Sequence, residues 1–126
     1  MNKKHALVLW FKEVGIEDVG LVGGKNASLG EMYQNLTKQG VRIPNGFAVT
    51  ATAYRHFLEK NKADVQIKRA LKGLNHQDVR ALAKAGEACR HIISHCDFPH
   101  DLKQEIIVAY RKLSKEAKRQ HVDIAV

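Results

Sequence analysis

Short apolar runs and helical stripes alternate along the chain, and together they predict a helix-rich α+β fold with a few short strands. A continuous apolar run at residues 6–11 predicts a buried strand, and residues 47–49 predict a second. Pro44-Asn45-Gly46 is turn chemistry between them. Thr50 or Thr52 then caps a helix. The predicted inner face of that helix is Tyr54, Phe57 and Leu58.

The first predicted helix follows a glycine-punctuated loop at residues 15–24. Ser28 and Glu31 have the spacing of a capping box, although Asn26 is an equally good cap. Gly40 is placed to end the helix. The stripe expected to face the core is Leu29, Met32, Tyr33 and Leu36.

From residue 62 onward the pattern is mostly helical, which brings the predicted total to about five helices. One inward stripe ends near Gly73, a second runs from Val79 to Cys96, and Asp97 followed by Pro99 starts another helix. Residues 122–126 alternate like the beginning of a strand. A strand that stops there would leave its backbone groups unpaired. We therefore predict that the chain is the N-terminal piece of something longer.

The charge balance favours an anionic partner. The 126 residues hold 21 Lys+Arg against 13 Asp+Glu, a formal charge of +8. These cations are scattered, and only three Tyr, four Phe and one Trp accompany them, so a solvated basic exterior is the simpler interpretation and nucleic acid is an improbable partner. Two cysteines make no disulfide framework, and no apolar run spans a bilayer, which predicts a reduced, cytoplasmic protein without a membrane segment.

Candidate chemistry lies in the stretch LVGGKNASLGEM, residues 21–32. Glycines allow an anion to approach the backbone, a helix N-terminus offers unpaired N–H groups, and a lysine adds charge. Gly23, Gly24, Lys25 and Asn26 supply all of these parts. The spacing is not that of a Walker A loop, since Val19 and Asn26 stand where glycine and Ser or Thr belong. Phosphate binding and a simple turn into a helix both remain open on spacing alone.

Four longer segments stand out, in this order: LVLWF, VGGKNASLGEM, GVRIPNGFAVTATAYRHFLE and LAKAG. In order and spacing they resemble the N-terminus of the phosphoenolpyruvate synthase (pyruvate, water dikinase) family. The close match covers residues 7–59, and a looser helical match continues to the end. Pyruvate phosphate dikinases and rifampicin phosphotransferases have a similar N-terminal domain.

This resemblance implies that residues 1–126 are the first lobe of an ATP-grasp nucleotide-binding domain, ending before the second lobe. Members of the family use ATP, Mg²⁺, water and pyruvate to make phosphoenolpyruvate, AMP and phosphate, through a phosphohistidine on a separate domain. Lys25 matches the lysine that contacts phosphate in the family. The magnesium carboxylates, the adenine pocket, the phosphohistidine domain and the pyruvate site are expected outside these residues. We therefore expect the piece alone to be catalytically silent.

Other candidate sites are weaker. His91 and His95 have the i, i+4 spacing of zinc ligands, but Cys89 and Cys96 share an apolar stripe that suits buried small side chains, so we predict no metal site. The acidic residues Glu13, Glu17 and Asp18 are interpreted as a solvated loop, with approach to magnesium as the alternative, while those at 97, 101 and 105 are taken as helix caps and dipole partners. A competing hypothesis for the whole chain is a small basic helical module that binds nucleic acid or a protein.

Overall fold

The computed structural model describes residues 2–126 and divides them into two compact units, residues 2–54 with 100–126, and residues 55–99. Five α-helices and one two-stranded sheet form within the described residues, which confirms the helix-rich α+β class. The strands are β1 (Val8–Trp10) and β2 (Phe47–Val49). The helices are α1 (Val19–Leu36), α2 (Ala51–Lys60), α3 (Ala63–Ala70), α4 (Val79–Ser94) and α5 (His100–Glu116).

The sheet of the first unit is a short antiparallel pair. Leu9 lies opposite Ala48, and both are buried, so this face of the sheet belongs to the core. Trp10 lies opposite Phe47, with ring centroids 5.5 Å apart, as expected of an aromatic cross-strand pair. β2 has the predicted bounds. β1 is shorter than the predicted strand because Phe11 begins a 3-10 turn, Phe11–Glu13.

α1 packs against the chain that follows β1, and a glycine makes this possible. A Cβ on Gly30 would collide with the carbonyl oxygen of Val14, so only glycine permits this approach. Gln34 secures the contact by donating to the carbonyl oxygens of Val14 and Phe11 at 2.6 and 3.2 Å. The buried cluster beneath consists of Leu9, Val14, Val22, Ala27 and Ala48.

The predicted start of the first helix is wrong. α1 begins at Val19, nine residues before Ser28, so Ser28 is interior and no capping box forms. Glu31 instead accepts from the backbone N–H of Ile16 at 3.0 Å. Tertiary packing overrides the low helix propensity of the glycines in the first turns. Gly40 ends the helical segment in the left-handed conformation, φ 83°, as predicted.

The predicted inner face of α1 is also partly wrong. Its buried residues are Val22, Ala27 and Gly30, whereas Met32 is 39% exposed. The close contact at Gly30 sets the rotation of the helix about its axis, and small side chains therefore face inward. A prediction that places only the large apolar side chains of α1 in the core does not detect this arrangement.

Thr50 caps α2, one of the two predicted alternatives. Its Oγ1 accepts from the backbone N–H of Ala53 at 3.1 Å and donates to the carbonyl oxygen of Ala6 at 2.6 Å. Thr52 has a different role, because its hydroxyl donates to the carbonyl oxygen of Lys4. Tyr54, predicted to face inward, is 49% exposed.

The second unit is helical, and α3 packs against α4. Asp78 caps α4 by accepting from the backbone N–H of Ala81 at 3.0 Å. Val79 and Leu82, predicted to face inward, are 77% and 46% exposed, so that prediction is wrong at both positions. The buried residue of α4 is Ala85.

The last residues differ from the prediction. α5 starts at His100, so Asp97, predicted to start and cap this helix, lies before it and outside it. Residues 122–126, predicted to begin a strand, form none. Backbone groups of Val122 are held by side chains of α5 instead, since Tyr110 donates to its carbonyl oxygen and its N–H donates to Ser114. Across residues 2–126, no helix combines the length and apolar character needed to cross a bilayer.

Candidate functional site

The glycine-lysine stretch contains a one-residue break in α1, where the sequence predicted a loop. Gly23 has φ 79° and ψ 162°, non-helical values within an otherwise continuous helix. This backbone region is essentially restricted to glycine. The helix resumes at Gly24, so a new helix N-terminus is created inside α1.

Asn26 closes this break. Its Nδ2 donates to the carbonyl oxygen of Val22 at 3.0 Å, so a side chain pairs the last carbonyl before the break. Val22 is itself buried in the core of the unit. The hydrogen bond therefore ties the exposed turn after Gly23 to a fixed part of the fold.

The surface above the break is open to an anion. Gly23, Gly24 and Lys25 are exposed, and a Cβ added at either glycine would meet no atom within 4 Å. Within the described part of the chain, Lys25 forms no salt bridge. Backbone N–H groups at a helix N-terminus together with a free ammonium favour a phosphate or carboxylate.

Asp18 lies directly before α1 and fixes the start of the helix. The sequence pattern did not indicate this role. Its carboxylate is buried immediately before α1, where it accepts from Lys3 Nζ at 2.9 Å and from the backbone N–H of Gly15 at 3.0 Å. The hydrogen bond from Lys3 lowers the pKa of Asp18 below its ordinary value of 3.8, although burial opposes this shift. The same contact raises the pKa of Lys3 above 10.5. Fifteen residues separate the two, and no periodic pattern connects them.

Two of the three acidic residues before α1 have structural roles, and the third, Glu17, is exposed as expected of a solvated loop. Asp18 is committed to Lys3 and Gly15, and Glu13 Oε2 accepts from the backbone N–H of Trp10 at 2.8 Å. The interpretation of these two as members of a solvated loop is therefore wrong. Their engaged oxygens do not form a prepared magnesium site.

His91 and His95 lie side by side with ring centroids 4.1 Å apart. No group of three or more metal-binding side chains forms among residues 2–126. Cys89 and Cys96 are free thiols and are half-buried, less than the fully buried positions predicted. Cys96 Sγ donates to the carbonyl oxygen of Ile92 at 3.2 Å.

Comparison with known proteins shows which family the sequence of this chain resembles. Residues 19–126 match the family model described as pyruvate phosphate dikinase, AMP/ATP-binding domain. The matched region begins at the first residue of α1 and so includes the whole candidate site.

Individual relatives agree with this match. The chain is 48% identical over its full length to a phosphoenolpyruvate synthase of Aquifex aeolicus, of which it covers 15%. It is 43% identical to a phosphoenolpyruvate synthase of a Synechocystis species, over 99% of this chain and 16% of the relative. For the Escherichia coli phosphoenolpyruvate synthase the identity is 44%, over 91% of this chain and 14% of the relative.

Proposed function

We propose that this chain, which belongs to the family of pyruvate phosphate dikinase AMP/ATP-binding domains, is the first lobe of an ATP-grasp domain and holds the phosphates of ATP. The parent protein is a pyruvate, water dikinase that makes phosphoenolpyruvate, with AMP and phosphate as the other products. Support for this parent comes from relatives that carry the name phosphoenolpyruvate synthase and of which this chain spans about a sixth. The phosphohistidine and pyruvate domains are partners within that parent chain.

The observation that carries the proposal is the break at Gly23 with Lys25 beside it. The break places the start of a helix at the surface, and neither glycine has a neighbour above it. A triphosphate carries several negative charges close together, so a single lysine and one helix terminus satisfy part of what it needs. Residues 23–26 would therefore form one half of a triphosphate site, and a second lobe would supply the other half.

Each residue of the stretch has a distinct part in the proposal. Gly23 adopts the backbone angles that interrupt the helix, and Gly24 leaves room for an oxygen to approach the backbone. Lys25 is the point charge that neutralises phosphate. Asn26 contributes its backbone, while its side-chain Nδ2 is hydrogen-bonded to the carbonyl oxygen of Val22.

Magnesium ions bound with ATP would supply positive charge that neutralises the phosphates. The carboxylates of Asp18 and Glu13 do not fit that role, since both accept hydrogen bonds inside the fold. We therefore place the magnesium ligands in the parent's second lobe and propose that this piece alone transfers no phosphoryl group.

The proposal distinguishes phosphate from adenine recognition. If this lobe holds the phosphates, inorganic tripolyphosphate should perturb the backbone amides of residues 23–28 as ATP does, and adenosine should leave them unchanged. Amide NMR spectra of the chain with each ligand test this directly. Perturbation by adenosine and none by tripolyphosphate would overturn the assignment of the phosphate contact to this stretch.

A further inference from the structure

Two histidines form an exposed pair at the end of α4. His91 and His95 are four residues apart, which places them on one face of the helix. Both are exposed, and their ring centroids are 4.1 Å apart with 39° between the planes. The side chains are therefore already next to each other at the surface.

The protonation pattern of His95 follows from its backbone partner. Its Nδ1 lies 2.8 Å from the carbonyl oxygen of His91. A carbonyl can only accept, so Nδ1 carries the hydrogen, and in the neutral ring Nε2 holds a free lone pair. A hydrogen bond of this kind from the non-ligating nitrogen is the usual way in which proteins orient a metal-binding imidazole.

We propose that His91 and His95 together bind one divalent transition-metal ion of the imidazole-preferring class, such as Zn²⁺, Ni²⁺ or Cu²⁺. Two nitrogens at about 2.0–2.1 Å from a tetrahedral ion are roughly 3.4 Å apart. A shared ion would set the two ring centroids farther apart than the 4.1 Å of the unbound pair, so binding requires the exposed side chains to rotate until one nitrogen of each ring faces the ion. This proposal does not depend on the proposed ATP function.

The position at the end of a helix supports the binding of a cation. The last turn of α4 ends at Ser94, and His95 is its C-cap. The unpaired carbonyls of a helix C-terminus carry partial negative charge. Because no group of three or more metal-binding side chains forms among residues 2–126, water completes the coordination and the ion exchanges readily.

The test uses Zn²⁺ alone, added to the chain at about pH 7.5, above the ordinary pKa of histidine. Aromatic ring NMR signals of His91 and His95 should shift together as a single site is filled, and Mg²⁺ should leave them unchanged. The variants His91→Ala and His95→Ala should each weaken binding by roughly tenfold or more, equivalent to about 1.4 kcal/mol. Both residues are exposed, so these variants should have the same circular dichroism spectrum as the unsubstituted chain.

Matched controls separate the pair from single histidines and from the thiols. His76→Ala and His121→Ala remove exposed histidines elsewhere and should leave zinc affinity unchanged. The double variant Cys89→Ser, Cys96→Ser should also retain it. The proposal is overturned if either histidine of the pair can be removed without loss of affinity, or if zinc binding disappears with the two cysteines.

Discussion

Asn26 Nδ2 donates a hydrogen bond to the carbonyl oxygen of Val22 across the break in α1, with 3.0 Å between the two atoms. Because Val22 is buried in the core and Asn26 lies in the turn that follows Gly23, this bond couples the exposed stretch to the fixed part of the unit. The geometry of the candidate phosphate site therefore depends on the backbone angles of Gly23.

Replacement of Gly23 by alanine should destabilise the chain, although there is free space for the new methyl group. The reason is backbone strain, since φ 79° and ψ 162° cost a non-glycine residue about 1–3 kcal/mol. The free energy of unfolding, measured by urea denaturation, should fall by that amount.

Gly24→Ala is the matched control for this substitution. Gly24 has no positive φ and no neighbour within 4 Å of an added Cβ, and alanine is the better helix former by about 0.5–1 kcal/mol. The stability of this variant should be unchanged or higher. Equal losses in the two variants would show that Gly23 is not under conformational restriction.

The ion pair between Lys3 and Asp18 should make stability depend on pH in a defined window. Lys3→Met should lower the free energy of unfolding by about 0.5–1 kcal/mol near neutral pH, a modest effect because the lysine side chain is 41% exposed. Asp18 has a lowered pKa in the fold, so its contribution is present above its ordinary value of 3.8 and is lost as the pH falls through the lowered pKa. Lys3 has a raised pKa, so its contribution is complete below 10.5 and is lost as the pH rises through the raised pKa.

Urea unfolding at a series of pH values compares the unsubstituted chain with the Lys3→Met variant. The difference between them should be constant in the neutral range and shrink at both extremes. Lys4→Met, in which the neighbouring lysine is removed, should have the same pH dependence of stability as the unsubstituted chain. A difference that persists unchanged in strong acid would exclude the ion pair as its cause.

Thr50 should be essential to the junction between β2 and α2, because its hydroxyl both accepts and donates a hydrogen bond while almost completely buried, at 1% exposure. Thr50→Val keeps the shape of the side chain but removes the cap and leaves the Ala6 carbonyl without this donor. The free energy of unfolding should decrease by about 1–3 kcal/mol. Thr50→Ser retains the hydroxyl and should recover most of the loss, whereas a loss in Thr50→Ser with none in Thr50→Val would point to packing of the methyl group.

Much of the fold could be predicted from local pattern. The strand at Phe47–Val49, the cap at Thr50, the helix after Pro99 and the end of the first helical segment at Gly40 follow from turn, cap and burial signals a few residues long. The wrong predictions involve distant contacts. Neither the rotation of α1 set by Gly30 against Val14 nor the irregular path after α5 has a periodic signature.

The local shape of the predicted phosphate site differs from the one that the sequence indicated. The residues 23–26 are those proposed from sequence, but the sequence indicated a loop before the helix where the structure has a single-residue break inside it. Glycines favour both arrangements locally, and the core contacts of Val22 and Ala27 on either side decide between them. The anchor at Asp18 depends on Lys3, fifteen residues earlier, and so could not be read from spacing.

The most direct test of phosphate binding at residues 23–26 is an amide NMR titration of the chain with Mg·ATP, beside the variants Lys25→Ala and Lys38→Ala. Lys38 is an exposed lysine in the turn that follows α1 and controls for nonspecific attraction to a basic chain. We expect weak, saturable shifts centred on residues 23–28 that persist in Lys38→Ala and vanish in Lys25→Ala. Shifts that are absent from this stretch, or that are the same without Lys25, would contradict the proposal that residues 23–26 hold phosphate.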